Sequence, residues 1–209
     1  MVREMDHEPM TLDVAEWVNS EPIDLVDLRG RVVMIEAFQM LCPGCVSHGI
    51  PQALRVHRSF DRSEVVVLGL HTVFEHHSVM GPDALAVFLS EYRVNFPVAV
   101  DRPVEGSSMP ATMRKYQLRG TPSTLLLDRA GRLRHSVLGS LDDLTLGTHL
   151  GRLLSEAPDE TGDPDLVVQG TAQISMHTLQ RSFAGTWARW SNASTPPRDG
   201  RVGNRVPRA

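Results

Sequence analysis

The chain has 209 residues, a formal net charge of −4 and a composition typical of a soluble globular protein. This mild acidity gives no overall attraction to nucleic acid or to an anionic membrane, and no stretch approaches the ~18–20 apolar residues that a membrane span needs. The two cysteines are too few for a disulfide scaffold in a chain of this size.

The first half of the chain predicts a strand, a helix and a second strand after a loose lead-in at residues 1–11. Residues 32–38 form an almost unbroken apolar run, typical of a strand covered on both faces, and only Glu36 interrupts it. Helical spacing follows over residues 46–60, where Pro51 predicts a kink. With a second apolar strand over residues 64–70, this order predicts a parallel, right-handed βαβ unit.

The second half predicts a histidine-rich loop at residues 71–80, then a helix whose apolar stripe ends at Tyr92. Further elements follow in order: a short strand at 96–101, a short helix at 109–116, a strand at 123–128 and an antiparallel strand at 132–138. Ser140 is the predicted start of the last helix. We expect the domain to span residues 12–156, followed at 157–209 by a linker and a largely disordered basic extension.

The segment Cys42-Pro43-Gly44-Cys45 lies between the first strand and its helix, and it contains both cysteines of the chain. A free thiol titrates near ~8.5, and a position at the start of a helix lowers that pKa and favours the reactive thiolate. Two intervening residues place the second sulfur about one turn further on. The pattern therefore predicts a redox dithiol in which Cys42 attacks and Cys45 resolves.

Two other interpretations of the cysteine pair stay open at this point. The pair could be buried and inert, or it could bind zinc or copper together with nearby histidines, namely His48, His71, His76 and His77. We expect the loop histidines to face solvent, and Glu36 could lie at a solvated strand position instead of a buried one.

Three blocks, at residues 28–35, 42–45 and 119–131, resemble the TlpA/ResA-type thiol-disulfide oxidoreductases. These proteins are often grouped with the redoxin, or AhpC/TSA-like, superfamily. The resemblance covers roughly residues 12–155. It implies an α/β thioredoxin fold with a central mixed sheet flanked by helices, a TlpA- or peroxiredoxin-like insertion at 71–117, and a C-terminal extension.

The resemblance also implies a role for each matching position. Cys42 matches the nucleophile and Cys45 the resolving cysteine of a redox-active disulfide. Thr121 and Pro122 match the cis-proline loop that sits against this disulfide and binds substrate through the Thr121 backbone. Glu36 lies six residues before Cys42, where thioredoxins carry a buried acid, and it would move a proton at Cys45.

We therefore expect an enzyme that exchanges disulfides with protein or small-molecule substrates, regenerated by a reductase and without a bound cofactor or metal. An antioxidant, peroxiredoxin-like hydroperoxide reductase is one alternative, although Ile35 and Gln39 occupy the positions of its usual proline and threonine. A metallochaperone using the cysteines and histidines is another. The start of the chain lacks a basic segment followed by an apolar one, so we expect a cytoplasmic protein that binds neither nucleic acid nor membrane.

Overall fold

The computed structural model describes residues 8–156, and the predicted extension at 157–209 lies outside these residues. The predicted boundaries at residues 11 and 156 stay predictions. The strands are β1 Val14–Val18, β2 Val32–Phe38, β3 Val65–His71, β4 Val98–Asp101, β5 Ser123–Leu127 and β6 Leu133–Leu138. The helices are α1 Ile50–Ser59, α2 Pro82–Glu91, α3 Ala111–Lys115 and α4 Asp143–Ser155. Among them, none is long and apolar enough to span a membrane.

The six strands form one mixed sheet in the order β1-β4-β3-β2-β5-β6. Strands β2, β3 and β4 run parallel to one another, whereas β1, β5 and β6 pair antiparallel to their neighbours. The predicted βαβ unit and the predicted β5–β6 hairpin are both present. This arrangement confirms the α/β thioredoxin fold.

Strand β2 is one of the two central strands of the sheet, and all seven of its residues are buried. Its side chains alternate between two apolar cores, one on each face of the sheet. Met34 and Phe38 share one core with residues of α1, α2 and α4, while Ile35 shares the other with Met113 of α3. Glu36 has the same parity as Met34, so its side chain enters the sheet face that α1 covers.

The segment after Cys42 is helical without a break from Pro43 to Ser59, as predicted, but it contains one turn with a different winding. Cys45–Gly49 forms a turn of π-helix, and α1 begins only at Ile50. Pro51 is the second residue of α1, and the helical bonding of the preceding turn reaches Ile50, whose N–H donates to the carbonyl of Cys45. Proline cannot donate to an earlier carbonyl, and the wider π-helical winding at Cys45–Gly49 comes directly before it, while the kink at Pro51 stays a prediction.

Two local predictions were wrong. Asp142, not Ser140, caps α4, because its carboxylate accepts the backbone N–H of Thr145 at 3.0 Å. His71 was expected to face solvent, but it is the last residue of β3 and only 1% exposed. The pairing of β2 with β3 continues as far as Phe38 and His71, so the imidazole of His71 lies in the interior.

Candidate active site

The two cysteines form a disulfide at the end of β2, with their Cα atoms 5.2 Å apart. Cys42 is partly exposed, whereas Cys45 is fully buried as the first residue of the π-helical turn. The backbone N–H of Cys45 donates to Sγ of Cys42 at 3.2 Å. This donor would stabilise negative charge on Cys42 in the reduced state, which lowers the pKa of a thiol. Only Cys42 is accessible to a substrate.

The loop before β5 lies directly against this disulfide. The peptide bond between Thr121 and Pro122 is cis, and the carbonyl oxygen of Thr121 lies 3.4 Å from Sγ of Cys42. A Cβ added to Gly44, between the cysteines, would lie 3.1 Å from Cδ of Pro122. The structure thus brings the Thr121-Pro122 pair to the place that the resemblance implies, while its role in substrate binding stays a prediction.

Glu36 is completely buried on β2, next to Thr124 in the β2–β5 register. The Thr124 hydroxyl donates to Oε2 of Glu36 at 2.9 Å, and Oε1 has no hydrogen-bond partner in the described structure. Burial raises the pKa of Glu36 to about 8, and the hydrogen bond from Thr124 offsets only part of that rise. Glu36 is therefore buried, as the sequence predicts, and its carboxyl group can hold or release a proton near neutral pH.

Gly49 makes room for this carboxyl group. A Cβ at Gly49 would collide with Oε1 of Glu36 and would lie 3.0 Å from Cβ of Pro122. The buried acid and the cis-proline therefore meet at the last residue of the turn that Cys45 begins. The sequence offers only a weak signal for this contact, because a glycine in a helical stretch is tolerated for several reasons.

Gln39 is a second residue whose role is not evident from the sequence. It is 1% exposed, and its backbone carbonyl accepts the N–H of Cys42 at 3.3 Å. Its side-chain Oε1 accepts the N–H of Phe74 at 3.2 Å, and its Nε2 donates to Glu75 at 3.3 Å. Gln39 thus ties the loop after β3 to the loop that carries Cys42.

The four histidines considered as metal ligands do not gather around the cysteines. Nδ1 of His48 lies 2.7 Å from the Ser47 hydroxyl, His71 is buried at the end of β3, and Nε2 of His77 lies 3.2 Å from the Ser108 carbonyl. Within residues 8–156, no three His, Cys, Asp or Glu side chains are placed to hold a metal ion.

Comparison with known proteins connects this arrangement to redox proteins. Residues 10–136 match the AhpC/TSA family. A thiol-disulfide isomerase from Corynebacterium glutamicum is 58% identical and superposes with a TM-score of 0.71, over 72% of this chain and 97% of its own. The thiol-disulfide oxidoreductase ResA of Bacillus subtilis is 23% identical over 150 residues, which are 71% of this chain and 74% of ResA.

A further relative is a much longer protein. Protein DipZ of Mycobacterium tuberculosis is 29% identical over 164 residues, which cover 73% of this chain and 22% of DipZ. The chain therefore spans about a fifth of the length of this relative.

Proposed function

The chain belongs to the AhpC/TSA family and carries a CxxC dithiol site, and from that premise we propose that it is a thiol-disulfide oxidoreductase that exchanges electrons with protein disulfides. The observation that carries the proposal is the Cys42–Cys45 disulfide, in which one sulfur is accessible and the other is buried. Such a pair can form a mixed disulfide with a substrate and then release the substrate without a cofactor.

Catalysis in the reducing direction takes two exchange steps. The Cys42 thiolate attacks one sulfur of the substrate disulfide, so that a mixed disulfide forms and the other substrate sulfur leaves as a thiolate. Cys45 then attacks Sγ of Cys42, which closes the Cys42–Cys45 bond and releases the second substrate thiolate. Two electrons pass from the dithiol to the substrate, and the one proton lost in these steps comes from Cys45, because Cys42 attacks already ionised. The released substrate thiolates take up protons from the surroundings. A reductase partner restores the dithiol by the reverse exchange.

Glu36 is the proposed proton carrier for the second step. Cys45 is buried, so its proton cannot pass directly to bulk water when it attacks. The carboxyl group of Glu36 lies against the same π-helical turn, and burial raises its pKa to about 8, so it can exchange a proton near neutral pH. Glu36→Gln should therefore slow resolution of the mixed disulfide more than its formation.

The surface around Cys42 suits an extended polypeptide. Thr121 is partly exposed beside the sulfur, and its backbone is the proposed pairing site for the substrate chain. The side chain of Leu41, next to Cys42, is 58% exposed and offers an apolar contact. These features favour a protein disulfide over a small polar one.

Trapping of the mixed disulfide tests the proposal. We expect the wild type to reduce insulin disulfides, Cys42→Ser to be inactive, and Cys45→Ser to accumulate a mixed disulfide that dithiothreitol releases. The double variant Cys42→Ser/Cys45→Ser is the control for background reduction. Turnover that survives in Cys42→Ser would refute the assignment.

The same variants separate the alternatives. A hydroperoxide reductase would turn over hydrogen peroxide faster than insulin and lose that activity in Cys42→Ser, whereas a metal-binding module would hold about one equivalent of zinc or copper after purification.

The cytoplasmic location stays a prediction. Cell fractionation combined with rapid thiol alkylation tests it, because a cytoplasmic dithiol should be trapped mostly reduced.

A further inference from the structure

The loop that carries the dithiol lies between two other loops, because β2 lies between β3 and β5 in the sheet. Strand β3 runs parallel to β2, so the loop after β3 leaves the sheet at the same edge as the cysteines. Strand β5 runs antiparallel to β2, so the Thr121-Pro122 loop that precedes it lies at that edge too. Residues 72–76 therefore form one flank of the dithiol, the β3 flank, and the Thr121-Pro122 loop forms the other. A protein whose disulfide reaches Cys42 meets both flanks.

Hydrogen bonds fix the β3 flank against the loop that carries Cys42. The N–H of Thr72 donates to the carbonyl of Phe38 at 3.1 Å. The N–H of Phe74 donates to Oε1 of Gln39 at 3.2 Å. The carbonyl of Gln39 in turn accepts the N–H of Cys42 at 3.3 Å. One buried residue, Gln39, therefore contacts both the β3 flank and the backbone of the attacking cysteine.

Glu75 is the charged residue that this arrangement holds beside the dithiol. Because Oε1 of Gln39 accepts the N–H of Phe74, the amide group is left to donate, and Nε2 donates to Oε1 of Glu75 at 3.3 Å. Gln39 is only 1% exposed whereas Glu75 is exposed, so a buried amide orients an accessible carboxylate. Within residues 8–156, no basic side chain forms an ion pair with Glu75. Its carboxylate can therefore pair with a cationic group that another molecule supplies.

The other residues around Cys42 confine this negative charge to the β3 flank. Leu41, next to Cys42, is 58% exposed and apolar, and Thr121 is uncharged. Arg119 is exposed and lies two residues before Thr121, so it belongs to the opposite flank. The two flanks thus carry charges of opposite sign, and a cationic group of a substrate is attracted to the β3 flank and not to the Thr121-Pro122 loop.

We propose that Glu75 is a specificity-determining residue that selects protein disulfides with a lysine or arginine beside the substrate cysteine. This inference rests on the proposed function, because it concerns which disulfides reach Cys42. The basic side chain pairs with Glu75 on the β3 flank while the substrate backbone lies against Thr121. Exposed charge pairs of this kind add little affinity but speed the encounter of two proteins. The effect therefore falls on kcat/KM, which includes substrate association, and depends on the charge of the substrate.

Reduction kinetics of three peptides by the full-length protein test this role. Each peptide contains one intramolecular disulfide, and the peptides differ only in the residues that flank the cysteines, which are arginine, glutamine or glutamate. The measured quantity is the ratio of kcat/KM for the arginine peptide to kcat/KM for the glutamine peptide. This ratio should fall roughly threefold in Glu75→Gln, the size of one exposed charge pair, and further in Glu75→Lys. Any general effect of Glu75 on the Cys42 thiolate is common to all three peptides and cancels in the ratio.

Two further comparisons identify the effect as electrostatic. The ratio of kcat/KM for the glutamate peptide to that for the glutamine peptide should rise in both Glu75 variants, because a repulsive charge is removed or reversed. At high ionic strength, the wild type and Glu75→Gln should become alike, because salt screens exposed charges.

Glu64→Gln is the matched control. Glu64 is also exposed, but it directly precedes β3 and so lies at the opposite edge of the sheet from the dithiol. This variant should keep the wild-type ratios. Ratios that stay unchanged in both Glu75 variants, or an equal change for all three peptides, would overturn this inference while Cys42-dependent reduction of the glutamine peptide leaves the proposed function standing. If none of the peptides is reduced in a Cys42-dependent way, the proposed function fails, and this inference fails with it.

Discussion

Replacement of Glu36 by glutamine should change how stability depends on pH. In the folded protein, burial raises the pKa of Glu36 from 4.5 to about 8. A raised acid pKa means that folding favours the protonated carboxyl group, so its stabilising effect is complete below pH 4.5 and is lost as pH rises to about 8. At ~1.4 kcal/mol for each pH unit, the full loss is roughly 5 kcal/mol.

Only part of this pH range isolates the contribution of Glu36 to the pH dependence of stability. Burial lowers the pKa of His71 from 6.5 to about 4, so its unfavourable effect on stability grows as pH falls from 6.5 towards 4 and opposes that of Glu36. Above pH 6.5 the His71 effect is nearly constant. Between pH 6.5 and 9, the Glu36 carboxyl group should therefore lower the free energy of unfolding by about 2 kcal/mol.

Urea unfolding of the oxidised protein at a series of pH values between 6.5 and 9 measures this loss. The Glu36→Gln variant keeps an oxygen to accept the Thr124 hydroxyl but cannot ionise, so its stability should lack the 2 kcal/mol decline. Glu91→Gln, at an exposed position of α2, is the control and should follow the wild type. If Glu36→Gln and the wild type decline in parallel, Glu36 does not titrate in this range and is not the proposed proton carrier.

Three further substitutions test contacts around the site and the sheet. Gly49→Ala should lower the free energy of unfolding by roughly 1–3 kcal/mol in urea, because its Cβ meets Glu36 Oε1. Gly147→Ala, in open space on α4, should be neutral or stabilising, and equal effects of the two would contradict the reasoning. Gln39→Leu should speed amide hydrogen exchange at Phe74, whose N–H loses its acceptor, and an unchanged rate would show that the bond is not formed in solution. Asp128→Ala should be destabilised by roughly 2 kcal/mol in thermal unfolding, because the Asp128 carboxylate accepts hydrogen bonds from two backbone N–H groups and from the side chains of two arginines. A loss below roughly 0.5 kcal/mol would mean that water satisfies these donors in the variant.

The central features of the fold were predictable because they depend on local pattern. The apolar run at residues 32–38 identifies a strand buried on both faces whatever surrounds it. The dithiol that follows and the Gly-Thr-Pro before β5 then indicate the family, and the thioredoxin fold is confirmed, while the thiol-disulfide oxidoreductase activity is the proposal drawn from them. Even so, α4 begins after Asp142 and not after Ser140, because several residues in that stretch can cap a helix.

Residues whose roles arise from distant contacts were not predictable in this way. His71 follows the last apolar residue of its strand, and only its pairing with Phe38 shows that the strand continues through it. Gln39 meets Phe74 and Glu75 across 35 and 36 residues of chain, and no local pattern signals such a contact. The collision that Gly49 avoids is likewise visible only when Glu36 and the π-helical turn are placed together.

The segment 103–110 joins β4 to α3, and its Met109 packs against the apolar core that contains Ile35 and Met113. Its base is closed by the bond from Ala111 to Arg102, and Asp101 holds the first turn of α3 through Thr112 and Met113. Since this closure does not depend on residues 103–107, lengthening or replacing them should leave the sheet intact. An engineer can therefore graft another loop between residues 103 and 107 while leaving the dithiol unchanged.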